Sequence, residues 1–170
     1  IEVLLLHERV DEWLAMHLTE FEGKPLQSVA KGALDLGGLE DEKAKQAHEQ
    51  AQTEFKGLLE RLKSALGERV KEVRVTYRLT SSPACLVTEE QDLSANLERI
   101  LKAAGQKTPA TRPVLEINPG HPIVTRLKDE ADEARFGDWS LVLFDQAQLS
   151  AGGSLEDPAG FVGRLNTLLV

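Results

Sequence analysis

RFGDWSLVLFDQAQLSAGGSLEDPAGFVGRLNTLLV, residues 135–170, is the stretch around which the rest of the chain is read. Phe136, Trp139, Leu141, Val142, Leu143, Phe144, Ala147 and Leu149 form one helical pattern, Gly152-Gly153 interrupts it, and Phe161, Val162, Leu165, Leu168 and Leu169 form a second. Asp157-Pro158 supplies a capping carboxylate and a first-turn proline for the second helix. The apolar residues that follow fall at i, i+1, i+4, i+7 and i+8, so this helix is amphipathic. The first is apolar on more than one side, which suits a helix with a core on one side and a second contact on the other. Two arrangements satisfy the pair. It is either an ordinary terminal hairpin packed on its own domain, or half of a four-helix bundle whose open stripe a two-fold copy covers.

The totals narrow the class. In 170 residues, 41% of them apolar, no run approaches the ~20 apolar residues of a bilayer span. A soluble chain without a secretory or transit signal is expected, because residue 1 opens inside a strand-like run. One cysteine, Cys85, cannot form an internal disulfide, which fits a reducing compartment. A net charge of -8 argues against nucleic-acid binding, which needs a basic surface.

From the start, IEVLLL at residues 1–6 is nearly continuous in apolar residues, the pattern of a strand buried on both faces of a parallel sheet. A helix follows with Val10, Trp13, Leu14 and Leu18 on one face, and residues 24–29 read as a short edge or returning strand. Such a small set cannot bury a parallel sheet, so this opening looks like the remnant of a larger α/β domain. Three glycines in residues 31–38 mark a boundary.

A single long helix is expected from Glu40 to Leu66, with Ala44, Ala47, Ala51, Phe55, Leu58, Leu62 and Leu66 at helical spacing and Gly67 as its stop. Residues 72–79 alternate, with Val73, Val75, Tyr77 and Leu79 inward and Arg74, Thr76 and Arg78 outward. After the turn at 80–83, residues 84–87 return as a second strand to form a hairpin, and residues 114–117 are a third. Between them a helix is expected over 88–104, capped by Thr88 and Gln91, with Leu93, Leu97, Ile100 and Leu101 along one stripe and Gly105 at its end. A polar loop with two prolines, 106–113, follows it, and Asn118-Pro119 starts a short helix that includes Ile123, Val124 and Leu127. The sum is an α+β fold, a small three-stranded sheet covered by helices.

Chemistry is hard to find in this pattern. His7, His17, His48 and His121 have no metal-ligand spacing and suit surface or capping roles. Cys85, among apolar neighbours, suits a small buried filler better than a nucleophile. Gly37-Gly38 and Gly152-Gly153 lack the lysine of a phosphate loop and read as hinges. The acidic runs at 40–42 and 129–133 suit solvated helix faces. Neither catalytic residues nor a metal or cofactor site is expected. One competing reading makes residues 1–6 the first strand of a nucleotide-binding enzyme, but His7-Glu8-Arg9 stands where a glycine-rich turn should be.

Five segments carry a resemblance: EVLLLHERVDEWLAMHLTEFEGKPLQSV, LGERVKEVRVTYRLTSSPACLV, AAGQK, LEINPGHPIV and LEDPAGFVGRLNTLLV. Together they resemble the bacterial branch of the ninety-kilodalton heat-shock protein (Hsp90) chaperone family over nearly the whole chain, most loosely between residues 31 and 55. The resemblance implies that residues 1–32 are the tail of the client-binding middle domain and 38–170 the C-terminal dimerisation domain. ATP and magnesium would belong to a domain outside this chain, which would itself be no enzyme.

The family places its dimer contact in the last helices, which implies interface roles for Trp139, Leu143, Phe144, Phe161, Leu165, Leu168 and Leu169. It also presents an amphipathic helix to clients, here Leu93, Leu97, Ile100 and Leu101, with Trp13 in the same client-facing region. Where some relatives have methionines this helix has leucines, a less adaptable surface. The expected partners are a second copy and unfolded or partly folded client proteins, in the cytoplasm, with neither nucleic acid nor membrane. The ending LLV lacks the acidic motif that recruits tetratricopeptide co-chaperones. A plain homodimerisation scaffold with no client role is the alternative.

Overall fold

The computed structural model of the chain describes residues 3–6, 8, 10–11, 14, 17–29, 31–32, 42–89, 92, 101, 104–106 and 112–170, with only the backbone described for 42–45. The fold is mixed α+β, as the sequence implies, but several elements differ from the pattern reading.

Val3, Leu4, Leu5 and Leu6 are exposed and form no strand. A strand buried on both faces needs a neighbour on each side and helices above and below, and none of the described elements supplies them. Residues 10, 11, 14 and 17 are helical, with Val10 and Leu14 exposed. The predicted returning strand is half of a small hairpin, β1 (Glu20–Phe21) against β2 (Lys24–Pro25). Its two-residue turn places Glu22 at φ 49° and Gly23 at φ 75°. Both values lie in the left-handed region that such hairpin turns require.

The long helix is two helices, α1 (Glu42–Glu54) and α2 (Lys56–Leu66). They meet at Phe55, whose φ of -92° and ψ of 1° leave the helical region. Phe55 itself is buried, with the Lys128 ammonium 4.7 Å from its ring centroid. Gly67, at φ 55°, closes α2, and a short 3-10 turn over Gly67–Arg69 leads into the sheet.

The main sheet has strands β3 (Glu72–Val75), β4 (Ala84–Val87) and β5 (Val114–Ile117) in the order β3-β5-β4. The expected β3–β4 hairpin is therefore replaced: β5 inserts between them, parallel to β3 and antiparallel to β4. Residues 76–83 bridge the gap, with Thr76 N–H donating to Ile117 O at 2.8 Å and Asn118 N–H to Pro83 O at 2.9 Å. Regular alternation ends at Val75, so Tyr77 is exposed and donates its hydroxyl to Ala47 O at 3.0 Å.

Register sorts the two faces. Val73, Val75, Leu115, Ile117 and Ala84 face a core shared with Leu58, Leu62 and Leu66 of α2, Val124 and Leu127 of α3 (Pro122–Lys128), and Phe136, Leu143, Phe144 and Ala147 of α4 (Glu133–Ser150). α2 packs on β3, and α4 packs on β4 and α2. The Arg61 guanidinium lies 3.8 Å from the Phe136 ring centroid and seals this layer. On the outer face Arg74, Glu116 and Cys85 form one row across all three strands.

Two further boundaries differ from the pattern. Thr88 does not start a helix; it makes a β-bridge to Lys31. Asn118 does not start α3 either, because its side chain is spent on the carbonyls of Leu79 and Ser82 and on Gly120 N–H. α3 begins later, where His121 Nδ1 accepts Ile123 N–H at 3.2 Å and Pro122 takes the first helical position.

Candidate dimerisation and client-binding surfaces

α4 and α5 (Pro158–Leu169) start at the caps their sequences carry. Asp132 accepts from Ala134 N–H and Arg135 N–H, and Asp157 accepts from Gly160 N–H at 2.8 Å. Each carboxylate sits at the positive end of its helix. Between them Gly152-Gly153, read as a hinge, closes α4. Gly152 has φ +78°, and a Cβ on Gly153 would lie 3.0 Å from the Gln148 carbonyl oxygen. Gly153 N–H donates to that same oxygen at 2.9 Å.

The helices run antiparallel, held at one end by Arg164 Nη2 on Asp145 Oδ2 at 3.1 Å and at the other by Arg135 Nη2 on Leu168 O at 3.5 Å. α4 therefore buries two sides within one chain. Leu143, Phe144 and Ala147 enter the main core, while Val142 and Leu168 are buried outside it.

The residues expected at a dimer contact thus divide. Leu143, Phe144 and Leu168 are already buried by their own chain and can only support such a contact from beneath. Trp139 is half-buried, packs on the core edge, and lines a cavity of about 160 Å³ with Pro122, Ile123, Arg126, Leu127 and Glu130. Phe161 and Leu165 are half-buried, and Leu169 is 77% exposed. Val162 and Val170, outside the expected set, are exposed as well. The open apolar stripe is therefore carried by α5.

Of the expected client-facing residues, Trp13, Leu93, Leu97 and Ile100 lie outside the described residues. Leu101 is helical and half-buried, and its carbonyl accepts from Ala104 N–H and Gln106 N–H. Gly105, at φ +74°, completes this end as predicted.

The outer face of the sheet holds a buried charge cluster that the sequence reading missed. Glu116, 2% exposed, receives Arg74 Nε and Nη2 on Oε1 at 2.8 and 2.6 Å, while Arg78 Nε lies 2.7 Å from Oε2. Cys85 Sγ is 4.0 Å from Oε2. Burial and then the Glu116 carboxylate push the Cys85 thiol up to about 11, with the two arginines opposing. A lone carboxylate in the otherwise apolar VLEI strand was the available signal, since a buried charge demands a cationic partner. Among the described residues no group of three or more His, Cys, Asp or Glu side chains is placed to hold a metal ion, and no helix is long and apolar enough to cross a membrane.

The family model that matches this chain, Hsp90 protein, covers residues 1–170. The chain belongs to the Hsp90 family. It is similar to Chaperone protein HtpG of Aromatoleum aromaticum (strain EbN1), 64% identical over all 170 residues and covering 26% of that protein. It is likewise similar to Chaperone protein HtpG of Nitrosospira multiformis at 63% and of Dechloromonas aromatica (strain RCB) at 62%, each over the whole chain and 26% of the relative. The chain spans about a quarter of the length of the curated relatives it matches.

Proposed function

We propose that this chain is the C-terminal portion of an ATP-dependent chaperone that assists folding and remodelling of other proteins in the cytoplasm. Residues 1–32 are the tail of the client-binding middle domain and 38–170 a homodimerisation domain. ATP and magnesium act in a domain outside this chain, which itself turns over nothing.

The observation that carries the reading is the apolar stripe of α5, with Phe161 and Leu165 half-buried and Val162 and Leu169 exposed, beside an α4 whose Val142, Leu143, Phe144 and Ala147 are already buried within the chain. A helix presenting such a stripe at the edge of a domain is half of a bundle, and a two-fold copy brings the matching half. Trp139 lies at the margin of this contact. Leu143, Phe144 and Leu168 give it a rigid floor. The stripe Leu93, Leu97, Ile100 and Leu101, together with Trp13, offers apolar area to unfolded chains, and a dimer presents two such stripes to one client.

Light scattering over a dilution series tests the assembly. A mass twice that of one chain at tens of micromolar, falling only on strong dilution, is expected. A single-chain mass throughout overturns the reading.

A further inference from the structure

We propose that Arg78 and Glu116 form a clasp that holds a strap, described at residues 29, 31 and 32, on the outer face of the sheet, and so fixes how the domain carries the segment that precedes it. The inference goes beyond the chaperone reading and does not depend on it.

Arg78, 12% exposed, binds the sheet and the strap at once. Its Nη2 reaches Glu116 Oε1 at 3.2 Å, while Nη1 donates to Val29 O at 2.7 Å and Nη2 to Gly32 O at 3.4 Å. Only a planar guanidinium can bind a carboxylate and two separate carbonyls in one fixed geometry; an ammonium is a point charge on a flexible stem. Glu116 holds that fork in orientation from beneath, and Arg74 neutralises its charge from the neighbouring strand without a bond to the strap. Partial burial strengthens the bonds to Gly32 and Glu116 relative to water, whereas the bond to Val29 is exposed.

The strap meets the fork with its own bonds. Gly32 N–H donates to Thr88 O at 2.8 Å, Lys31 makes the parallel bridge to Thr88, and Lys31 Nζ donates to Asp92 O at 2.6 Å. Gly32 has φ 61°, which a side chain would strain. The strap is thus added to the β4 end of the sheet by backbone bonds and locked there by Arg78. Arg78 is a positioning residue: it acts on the preceding segment through residues 29 and 32.

Backbone amide hydrogen exchange on the full chain tests this at Gly32. In the wild type, protection of at least a hundredfold over an unstructured amide is expected. Arg78→Lys should lower it at least tenfold, leaving the core amides of Val124 and Leu143 unchanged, whereas Arg74→Lys should leave Gly32 as it is. Should Arg78→Lys fail to fold, Arg78→Gln, which can reach one partner but not all three, takes its place with the same expectation. An unprotected Gly32 in the wild type overturns the clasp. So does an equal loss with Arg74→Lys, an unchanged Gly32 in the Arg78 variant, or a loss spread evenly over Val124 and Leu143. The assay reads neither mass nor client binding, so its failure is distinct from failure of the proposed function.

Discussion

Asp145 of α4 and Arg164 of α5 meet at 3.1 Å with the carboxylate 7% and the guanidinium 22% exposed, which makes this pair the one charged rivet found between the two terminal helices among the described residues. Arg164→Met removes the cation and leaves a carboxylate buried alone. The expected cost is about 2–3 kcal/mol, below the ~3–5 of a fully buried pair because Arg164 keeps some solvent. Urea unfolding monitored by circular dichroism should register it as a lower midpoint. An unchanged midpoint would mean that solvent already screens the pair.

Leu165→Asp and Leu143→Ala should separate assembly from stability. The first puts a charge into the seam of each protomer, at ~1–3 kcal/mol or more per desolvated group, and is expected to convert dimer to monomer with the fold intact. The second cuts a cavity in the protomer core and should cost ~2–5 kcal/mol of stability with little change in assembly. Light scattering and thermal melting on both variants check the pair, and a dimeric Leu165→Asp would remove α5 from the interface.

Cys85 is expected to be a slow thiol. With its pKa pushed up to about 11 from an ordinary 9.0, alkylation by iodoacetamide at pH 8 should run about a hundredfold slower in the folded chain than in denaturant. Stability is linked to the same proton. Below pH 9 the thiol is protonated in both states; above it the unfolded chain loses its proton first, so stability falls as pH rises toward 11. A folded-state reaction as fast as the denatured one would place Cys85 outside the Glu116 cluster.

Leu97→Ser combined with Leu101→Ser should weaken capture of an unfolded client while melting temperature and mass stay nearly constant. Each covered apolar Å² is worth ~25 cal/mol, so two leucines suffice for a measurable loss. Half-burial of Leu101 means that part of this stripe also packs at home. A collapse of thermal stability in the double variant would make the stripe core rather than client surface.

The terminal helices are legible in the sequence because their signals are local: Asp157-Pro158 and the glycine pair act within a few residues of themselves. Gly67 and Gly105 are legible for the same reason. The break at Phe55 is hidden, since Phe55 keeps the helical period and the nearest glycine, Gly57, lies inside the second helix rather than at the break. Strand order is hidden too. A turn between residues 79 and 84 looks like a hairpin unless one knows that β5, some thirty residues later, takes both partners and is buried along its whole length. The run Val3, Leu4, Leu5 and Leu6 misleads because composition reports what a segment could pair with, and pairing depends on neighbours elsewhere. The surplus apolar surface of α4 is two-sided, as its pattern predicts, but its second side is covered first by α5 of the same chain.

The central position of β5 has a consequence for the order in which the protein comes into being. β3 and β4 leave the ribosome first, yet each takes its ladder from β5. Until residue 117 has emerged, the nascent chain carries two strand segments with unmatched backbone edges, a condition that favours association with any other strand at hand.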